Sequence, residues 1–169
     1  MHSLRPELVA ALINASRTSL KELTIEPPKG LQEFLKAQRE HWDAIDSVQM
    51  HMQNLRSLTL RMSDLPNSWS AVSQCLDDAI GILNITSTST LVSLDLRFNP
   101  SALFQLSESL GNPLLKIFEQ SITRFTARQT IVSLSKEPLR KNRQTFWTPM
   151  FARVFPLFYG QGKVRESSQ

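Results

Sequence analysis

The sequence predicts an α/β fold built as a short stacked array, with parallel strands on one face and helices on the other. Three observations predict it. The stretch SLKELTI, from Ser19, has apolar residues in the order x-L-x-x-L-x-I, and NLRSLTL from Asn54 and TLVSLDL from Thr90 repeat that order. The first leucines of the three stretches, Leu20, Leu55 and Leu91, lie 35 and 36 residues apart. The intervening segments have helical periodicity, and a near-constant period of this kind is typical of stacked repeats.

Each of the three stretches is predicted to contain a strand. Side chains alternate between the two faces of a strand, so the x-L-x-L core directs its leucines to one side and its polar residues to the other. In the third stretch, Leu94 and Leu96 would be buried while Asp95 and Arg97 would lie on the opposite face. The strands are therefore expected to be apolar on one face only.

Helices are expected before, between and after these strands. Pro6 suits the first turn of the leading helix, Ser101 is a candidate N-cap of the last helix and Gly111 a candidate stop. The apolar residues of the four predicted helices are Leu8, Val9, Leu12 and Ile13; Leu31, Phe34, Leu35, Trp42 and Ile45; Trp69, Val72, Leu76, Ile80 and Leu83; and Leu103, Leu106 and Leu110.

The pattern Leu91-x-x-Leu94-x-Leu96-x-x-Asn99 resembles the signature of leucine-rich repeats. The helix-rich spacing, longer than the usual 20 to 29 residues, is similar to the irregular repeats of fungal F-box-like proteins. The resemblance covers about residues 4–120, with one full motif and two partial ones, since Pro28 and Ser63 occupy the asparagine position of the first two units. It implies a solenoid with a concave sheet that binds protein partners. The alternative is an ordinary α/β domain with three leucine-rich strands.

The N-terminal stretch Leu4 to Ile13 is also similar to the opening of an F-box, the helical module that docks receptors onto ubiquitin ligases. The family resemblance implies three helices for a complete F-box. The first predicted strand begins by Leu20, which leaves no room for them. We therefore interpret this stretch as the helix that precedes the first repeat, and no complete F-box is expected.

Two further stretches begin the strand pattern without completing it. Leu115-x-x-Phe118 starts the pattern before it fades, and TIVSLS, from Thr130, echoes TLVSLD but has Lys136 where the third apolar residue is expected. Both are predicted to be degenerate.

The C-terminal segment differs in charge from the rest of the chain. Residues 1–119 contain 10 Lys/Arg and 13 Asp/Glu, a net charge of −3, whereas residues 120–169 contain 9 Lys/Arg and 2 Asp/Glu, a net charge of +7. We predict a repeat array over 1–119 and a basic, aromatic-rich cap or poorly ordered extension over 120–169. The alternative function is attachment to nucleic acid or an anionic membrane surface through this segment. Its basic and aromatic residues are Arg124, Arg128, Lys136, Arg140, Lys141, Arg143, Phe146, Trp147, Phe151, Phe155, Phe158 and Tyr159.

Residue patterns that support catalysis are not found in the sequence. It has no Gly-x-Ser-x-Gly elbow or phosphate-binding loop, and the single cysteine, Cys75, is expected to be a small buried residue. We predict a non-enzymatic protein with no cofactor, metal or small-molecule substrate. The absence of a signal peptide and of an internal disulfide favours the cytoplasm or nucleus.

The predicted binding surface is the polar face of the strands, where residues of successive strands fall into rows. A solenoid sheet offers such a face as an extended binding surface. Arg61 and Arg97, with Asp95 beside them, are predicted to form the centre of a protein-recognition patch, because arginine pairs with carboxylates and stacks on aromatic rings. The rows are Glu22, Ser57 and Ser93; Thr24, Thr59 and Asp95; and Glu26, Arg61 and Arg97.

Overall fold

The computed structural model describes residues 5–16, 18–26, 52–62, 69–98, 100–126, 131–136, 147–157 and 164–166. These residues form five helices and five strands, and the chain is an α/β protein. The helices are α1 (Pro6–Ser16), α2 (Trp69–Ile85), α3 (Pro100–Ser107), α4 (Pro113–Thr126) and α5 (Trp147–Val154). The strands are β1 (Glu22–Ile25), β2 (Ser57–Met62), β3 (Ser93–Phe98), β4 (Ile131–Lys136) and β5 (Val164–Glu166).

All five strands belong to one parallel sheet, in the order β1-β2-β3-β4-β5. Each strand therefore pairs with its neighbours in the chain. The register sets the leucines side by side: Leu58 of β2 lies between Leu23 and Leu94, and Leu94 is followed by Val132 of β4. Paired residues of β1 and β2 are thus 35 residues apart in the sequence and those of β2 and β3 are 36 apart, the same spacing as that of the three leucine-containing stretches.

One face of this sheet is buried and the other is polar. Leu58, Leu60 and Met62 of β2 are fully buried, as are Leu94 and Leu96 of β3, while the residues between them are half-buried or exposed. This alternation is that of a sheet covered on a single side. It confirms the predicted orientation of the leucines.

The helices pack on the buried face. α2 contacts α4, α3 contacts α5, and α4 also contacts β4. Val72, Leu76, Ile80 and Leu83 of α2 are buried in the same core as the strand leucines, and Cys75 is buried with them, as predicted. Its Sγ lies 3.9 Å from Sδ of Met62.

The ends of the helices differ from those expected. α3 begins at Pro100, so Ser101 lies inside its first turn and is not the N-cap. Leu103 and Leu106 are fully buried, but Leu110 is exposed, because the helix ends at Ser107 and Leu110 lies in the turn that follows. At the start of α4, Asn112 Oδ1 accepts a hydrogen bond of 2.8 Å from the backbone N–H of Leu114 and so caps the helix.

In α1 the expected apolar face is only partly correct. Val9 and Ile13 are buried, together with Ala10, but Leu8 and Leu12 are exposed. At 100° per residue, Leu8 and Leu12 lie on the side of the helix that faces away from Ala10. One side of α1 therefore contacts the core and the other does not.

The prediction that TIVSLS is degenerate was wrong. β4 is a full six-residue strand that pairs with β3 from Ile131 to Lys136. Backbone pairing does not depend on an apolar side chain at the last position, and Val132 is fully buried. Leu115 and Phe118 begin no strand, since both are buried residues of α4.

The sheet and its core continue past the boundary drawn at residue 119. That boundary falls inside α4, and β4 and β5 extend the same sheet. Phe155 of the C-terminal segment is fully buried, with its ring centroid 5.5 Å from that of Phe98 and 6.2 Å from that of Phe118. The described part of residues 120–169 is thus built into the fold.

Several predicted features lie outside the described residues. These are the helix expected over residues 31–45 and the positions of the repeat asparagine, Pro28, Ser63 and Asn99.

Candidate recognition surface

The register brings the predicted polar residues into rows across the sheet. Ser57 of β2 pairs with Glu22 of β1 and Ser93 of β3, and the next row aligns Thr24, Thr59 and Asp95. We call this surface the polar face. Its residues with described side chains are Glu22, Thr24, Ser57, Thr59, Arg61, Ser93, Asp95, Arg97, Ile131 and Ser133.

Short hydroxyl side chains occupy the middle of the polar face. Ser93 Oγ donates a hydrogen bond of 3.0 Å to Oγ of Ser57 in the adjacent strand. Ser57, Thr59 and Ser93 are half-buried, the accessibility expected for small side chains on the outer surface of a sheet. The side chains in this part of the surface are therefore short, and longer side chains lie beside them.

A hydrogen-bonded network joins β3 to β4. Arg97 Nε donates to Asp95 Oδ2 at 2.7 Å, and Ser133 Oγ donates to Asp95 Oδ1 at 3.1 Å. Both carboxylate oxygens of Asp95 are thus engaged. The side chain of Arg97 is 36% exposed and that of Asp95 is 18% exposed. The network orients a partly accessible guanidinium group on the polar face.

Arg61 and Arg97 lie opposite each other in adjacent strands. Parallel strands are about 4.8 Å apart, and like charges directly opposite each other are destabilising. Asp95 offsets part of this repulsion through its ion pair with Arg97. The two adjacent arginines are consequently not needed for the pairing of β2 with β3.

The two glutamates of the predicted patch lie at the β1 end. Glu22 is exposed at the start of β1, and Glu26 is exposed just after its last residue. The pairing of β1 with β2 ends at Ile25, opposite Leu60, so the structure does not extend the Arg61 row to Glu26. Glu22 and Thr24 occupy the rows predicted for them.

Sequence reasoning missed Ser133. Its place in the row of Asp95 follows from the pairing of β3 with β4. The similarity of TIVSLS to TLVSLD does not give this register, because it aligns Ser133 with Ser93, whereas in the sheet Ser133 pairs with Asp95.

Among the basic and aromatic residues named for the C-terminal segment, Arg124, Phe151 and Phe155 have described side chains, and each has structural contacts. Arg124 Nη2 donates to the backbone carbonyl of Leu83 and to Oδ1 of Asn84, each at 3.2 Å, at the C-terminal end of α2. Phe151 and Phe155 are buried, so their rings are not available to stack on bases. The other basic and aromatic residues named for this segment have no described side chain; they are Arg128, Lys136, Arg140, Lys141, Arg143, Phe146, Trp147, Phe158 and Tyr159.

The described residues lack a metal cluster and a membrane-spanning helix. In that part of the chain, no group of three or more His, Cys, Asp and Glu side chains is placed to hold a metal ion. Within the same residues, none of the helices combines the length and the apolar character needed to cross a membrane.

The chain is thus an α/β protein with an all-parallel sheet in sequential order and a polar face built from aligned rows. Comparison with protein-family models, with curated proteins and with solved structures found no match to it.

Proposed function

We propose that this chain is a leucine-rich-repeat type of solenoid that recognises a protein partner through its polar face and performs no catalysis. Sequential, parallel strands at a near-constant spacing support the repeat architecture, with the polar face concave and the helices convex. The cytoplasm or nucleus is the proposed location. By the resemblance of residues 4–120, the chain is proposed to act as the substrate-binding part of an F-box-like ubiquitin ligase receptor.

The observation that carries the proposal is the alignment of charged residues on the polar face. Arg61 and Arg97 are adjacent, and the hydrogen bonds of Asp95 with Arg97 and Ser133 orient the guanidinium group of Arg97. The serine and threonine side chains in the neighbouring rows are short, so a partner can approach the arginines. Arginine is enriched among the residues that dominate binding energies. In the C-terminal segment Arg124 is bonded to α2, Arg153 is exposed, and the rings of Phe151 and Phe155 are buried. The segment therefore supports nucleic-acid or membrane attachment less well than the polar face supports protein recognition.

The test is a double variant, Arg61→Ala with Arg97→Ala. The chain of residues 1–169 is used as bait in a lysate of the source cells, and partners are quantified by mass spectrometry. The matched control is Lys116→Ala with Arg153→Ala, which removes two exposed positive charges from α4 and α5. Since each arginine of a recognition patch is expected to contribute more than about 1 kcal/mol, the double variant should weaken partner binding roughly 30-fold or more.

The melting temperature separates a binding effect from a folding effect. Arg61 is exposed and Arg97 is partly exposed, so both variants should melt within a few degrees of the wild type. Full recovery of the partners by the Arg61/Arg97 variant, at an unchanged melting temperature, would show that the polar face is not the binding site. If both double variants recover equally reduced amounts of the partners, the effect is a nonspecific effect of charge.

A further inference from the structure

A further row of exposed side chains lies where the strands begin. Lys21, Arg56 and Val92 come directly before β1, β2 and β3, and all three are exposed. The backbone carbonyl of Lys21 accepts a hydrogen bond of 2.8 Å from the N–H of Arg56, and the carbonyl of Arg56 accepts one of 2.8 Å from the N–H of Val92. Neighbouring residues of the row are therefore separated by one strand spacing, about 4.8 Å.

The row is apolar at its β3 and β4 end. The carbonyl of Val92 accepts a hydrogen bond of 2.9 Å from the N–H of Ile131, the first residue of β4, so the two residues are neighbours across the sheet. Val92 is 56% exposed and Ile131 is 47% exposed. Ile131 lies opposite Ser93, whose side chain is short. The two apolar side chains thus form a place where an apolar side chain of a partner would be removed from water.

The row is basic at its β1 and β2 end. In the part of the chain that the structure describes, neither Lys21 nor Arg56 takes part in an ion pair or a side-chain hydrogen bond. Glu22 follows Lys21 and is exposed, and it makes no ion pair with either cation. Two unpaired cations in adjacent strands favour an acidic side chain of a partner by charge complementarity.

The distance between the two ends sets the spacing of the residues that a partner would present. The midpoint between β1 and β2 lies two strand spacings, roughly 10 Å, from the midpoint between β3 and β4. An extended chain rises about 3.3 Å for each residue, so it covers this distance in about three residues.

We propose that this row and its neighbour in β4, which we call the entry edge (Lys21, Arg56, Val92 and Ile131), bind an extended segment of the partner protein that crosses the strands. A large apolar side chain of the segment packs on Val92 and Ile131. An Asp or Glu about three residues away lies over Lys21 and Arg56. This inference rests on the proposed function, because it continues the contact from the polar face to the beginning of the strands, and it adds the chemistry of the partner.

The experiment is a selection of random dodecapeptides displayed on phage, with the folded chain of residues 1–169 as the target. Selected peptides are then tested on Val92→Thr with Ile131→Thr, which removes the apolar groups and keeps the β-branched shape that suits a strand. The matched control is Ile117→Thr, at a side chain that is 45% exposed on α4. Because all three positions are exposed, the variants should melt within a few degrees of the wild type.

We expect selected peptides to contain a large apolar residue with Asp or Glu about three positions away. Val92→Thr with Ile131→Thr should weaken their binding about tenfold or more, whereas Ile117→Thr should leave it unchanged.

The acidic contact is tested by Lys21→Gln with Arg56→Gln. This variant should bind the selected peptides several-fold more weakly. Replacing the peptide's Asp or Glu by Asn or Gln should weaken binding to the wild type by a similar factor. The same replacement should have no further effect on the variant, because the cations that the acidic side chain meets are already gone.

Two results would overturn the inference. One is a selection in which no peptide prefers the wild type to Val92→Thr with Ile131→Thr. The other is an acidic replacement that weakens binding equally in the wild type and in Lys21→Gln with Arg56→Gln. Binding to phosphatidylserine vesicles that is lost in the latter variant, with no peptide selected, would assign the entry edge to a membrane surface instead.

The arginines of the polar face separate this inference from the proposed function. Peptides that are lost with Arg61→Ala and Arg97→Ala but bind both entry-edge variants normally would overturn the inference and leave the proposed function intact. Peptides that depend on the entry edge and bind the arginine variant normally would support the entry edge and contradict recognition through the two arginines.

Discussion

Leu94→Ala is the substitution that tests the fold most sharply. Leu94 is fully buried near the start of β3, in register with Leu58 and Val132, which are also fully buried. Its replacement by alanine removes three carbon atoms from the core. At about 0.8 kcal/mol for each buried methylene group, the transfer loss is about 2.4 kcal/mol, and the cavity left behind raises the total to about 3–4 kcal/mol.

The assay is equilibrium unfolding in urea, followed by circular dichroism. A loss of about 3–4 kcal/mol in the free energy of unfolding should lower the urea concentration at the midpoint of unfolding, while the dependence of that free energy on urea stays unchanged. The melting temperature should fall by roughly 6–16 °C, at about 2–4 °C for each kcal/mol. The control is Val92→Ala two residues earlier, where the side chain is 56% exposed and the expected change is below about 0.5 kcal/mol.

A stronger substitution at the same position extends the test. Leu94→Asp places a carboxylate in the core at a cost of several kcal/mol, comparable with a net stability of about 5–15 kcal/mol, so much of this variant should be unfolded. If Leu94→Ala and Val92→Ala have the same midpoint, Leu94 does not lie in the core and the register of the sheet is incorrect.

Two other predictions concern the C-terminal segment. Arg124→Ala should lower stability by about 1 kcal/mol relative to Lys116→Ala, because it removes two hydrogen bonds at the end of α2; equal thermal melts would show that these bonds contribute nothing. Truncation after residue 119 should abolish cooperative unfolding, since it cuts α4 and removes β4, β5 and the buried ring of Phe155. A cooperative melt of residues 1–119 would show that the array folds without the segment.

The strands and their register were the most predictable part of the fold. The x-L-x-L pattern has a period of two, and a sheet that is buried on one face specifies register strongly, because a shift of one residue would expose every leucine. Recurrence at 35 and 36 residues then aligned β1, β2 and β3, and with them the rows that contain Thr59, Asp95 and Arg97.

Other features depend on tertiary packing that a local pattern does not contain. Leu115 and Phe118 are three residues apart, a spacing that places them on one face of a helix as readily as it begins a strand motif. In α1, the four apolar residues are compatible with two adjacent faces, and only contact with the core selects the face of Val9 and Ile13. Ser133 was missed because its strand was rejected on the side chain of Lys136. The similarity of TIVSLS to TLVSLD would also have placed Ser133 beside Ser93, two residues away from its partner Asp95.

Photo-crosslinking at two positions tests the central claim, recognition through the polar face, most directly. A photoreactive phenylalanine analogue is placed at Thr59, in the centre of the polar face, or at Ile117, which is 45% exposed on α4. The account predicts that a partner purified by the full-length chain crosslinks at position 59 and not at position 117, and that Arg61→Ala with Arg97→Ala removes the crosslink. Crosslinking at position 117 with none at position 59 would contradict it.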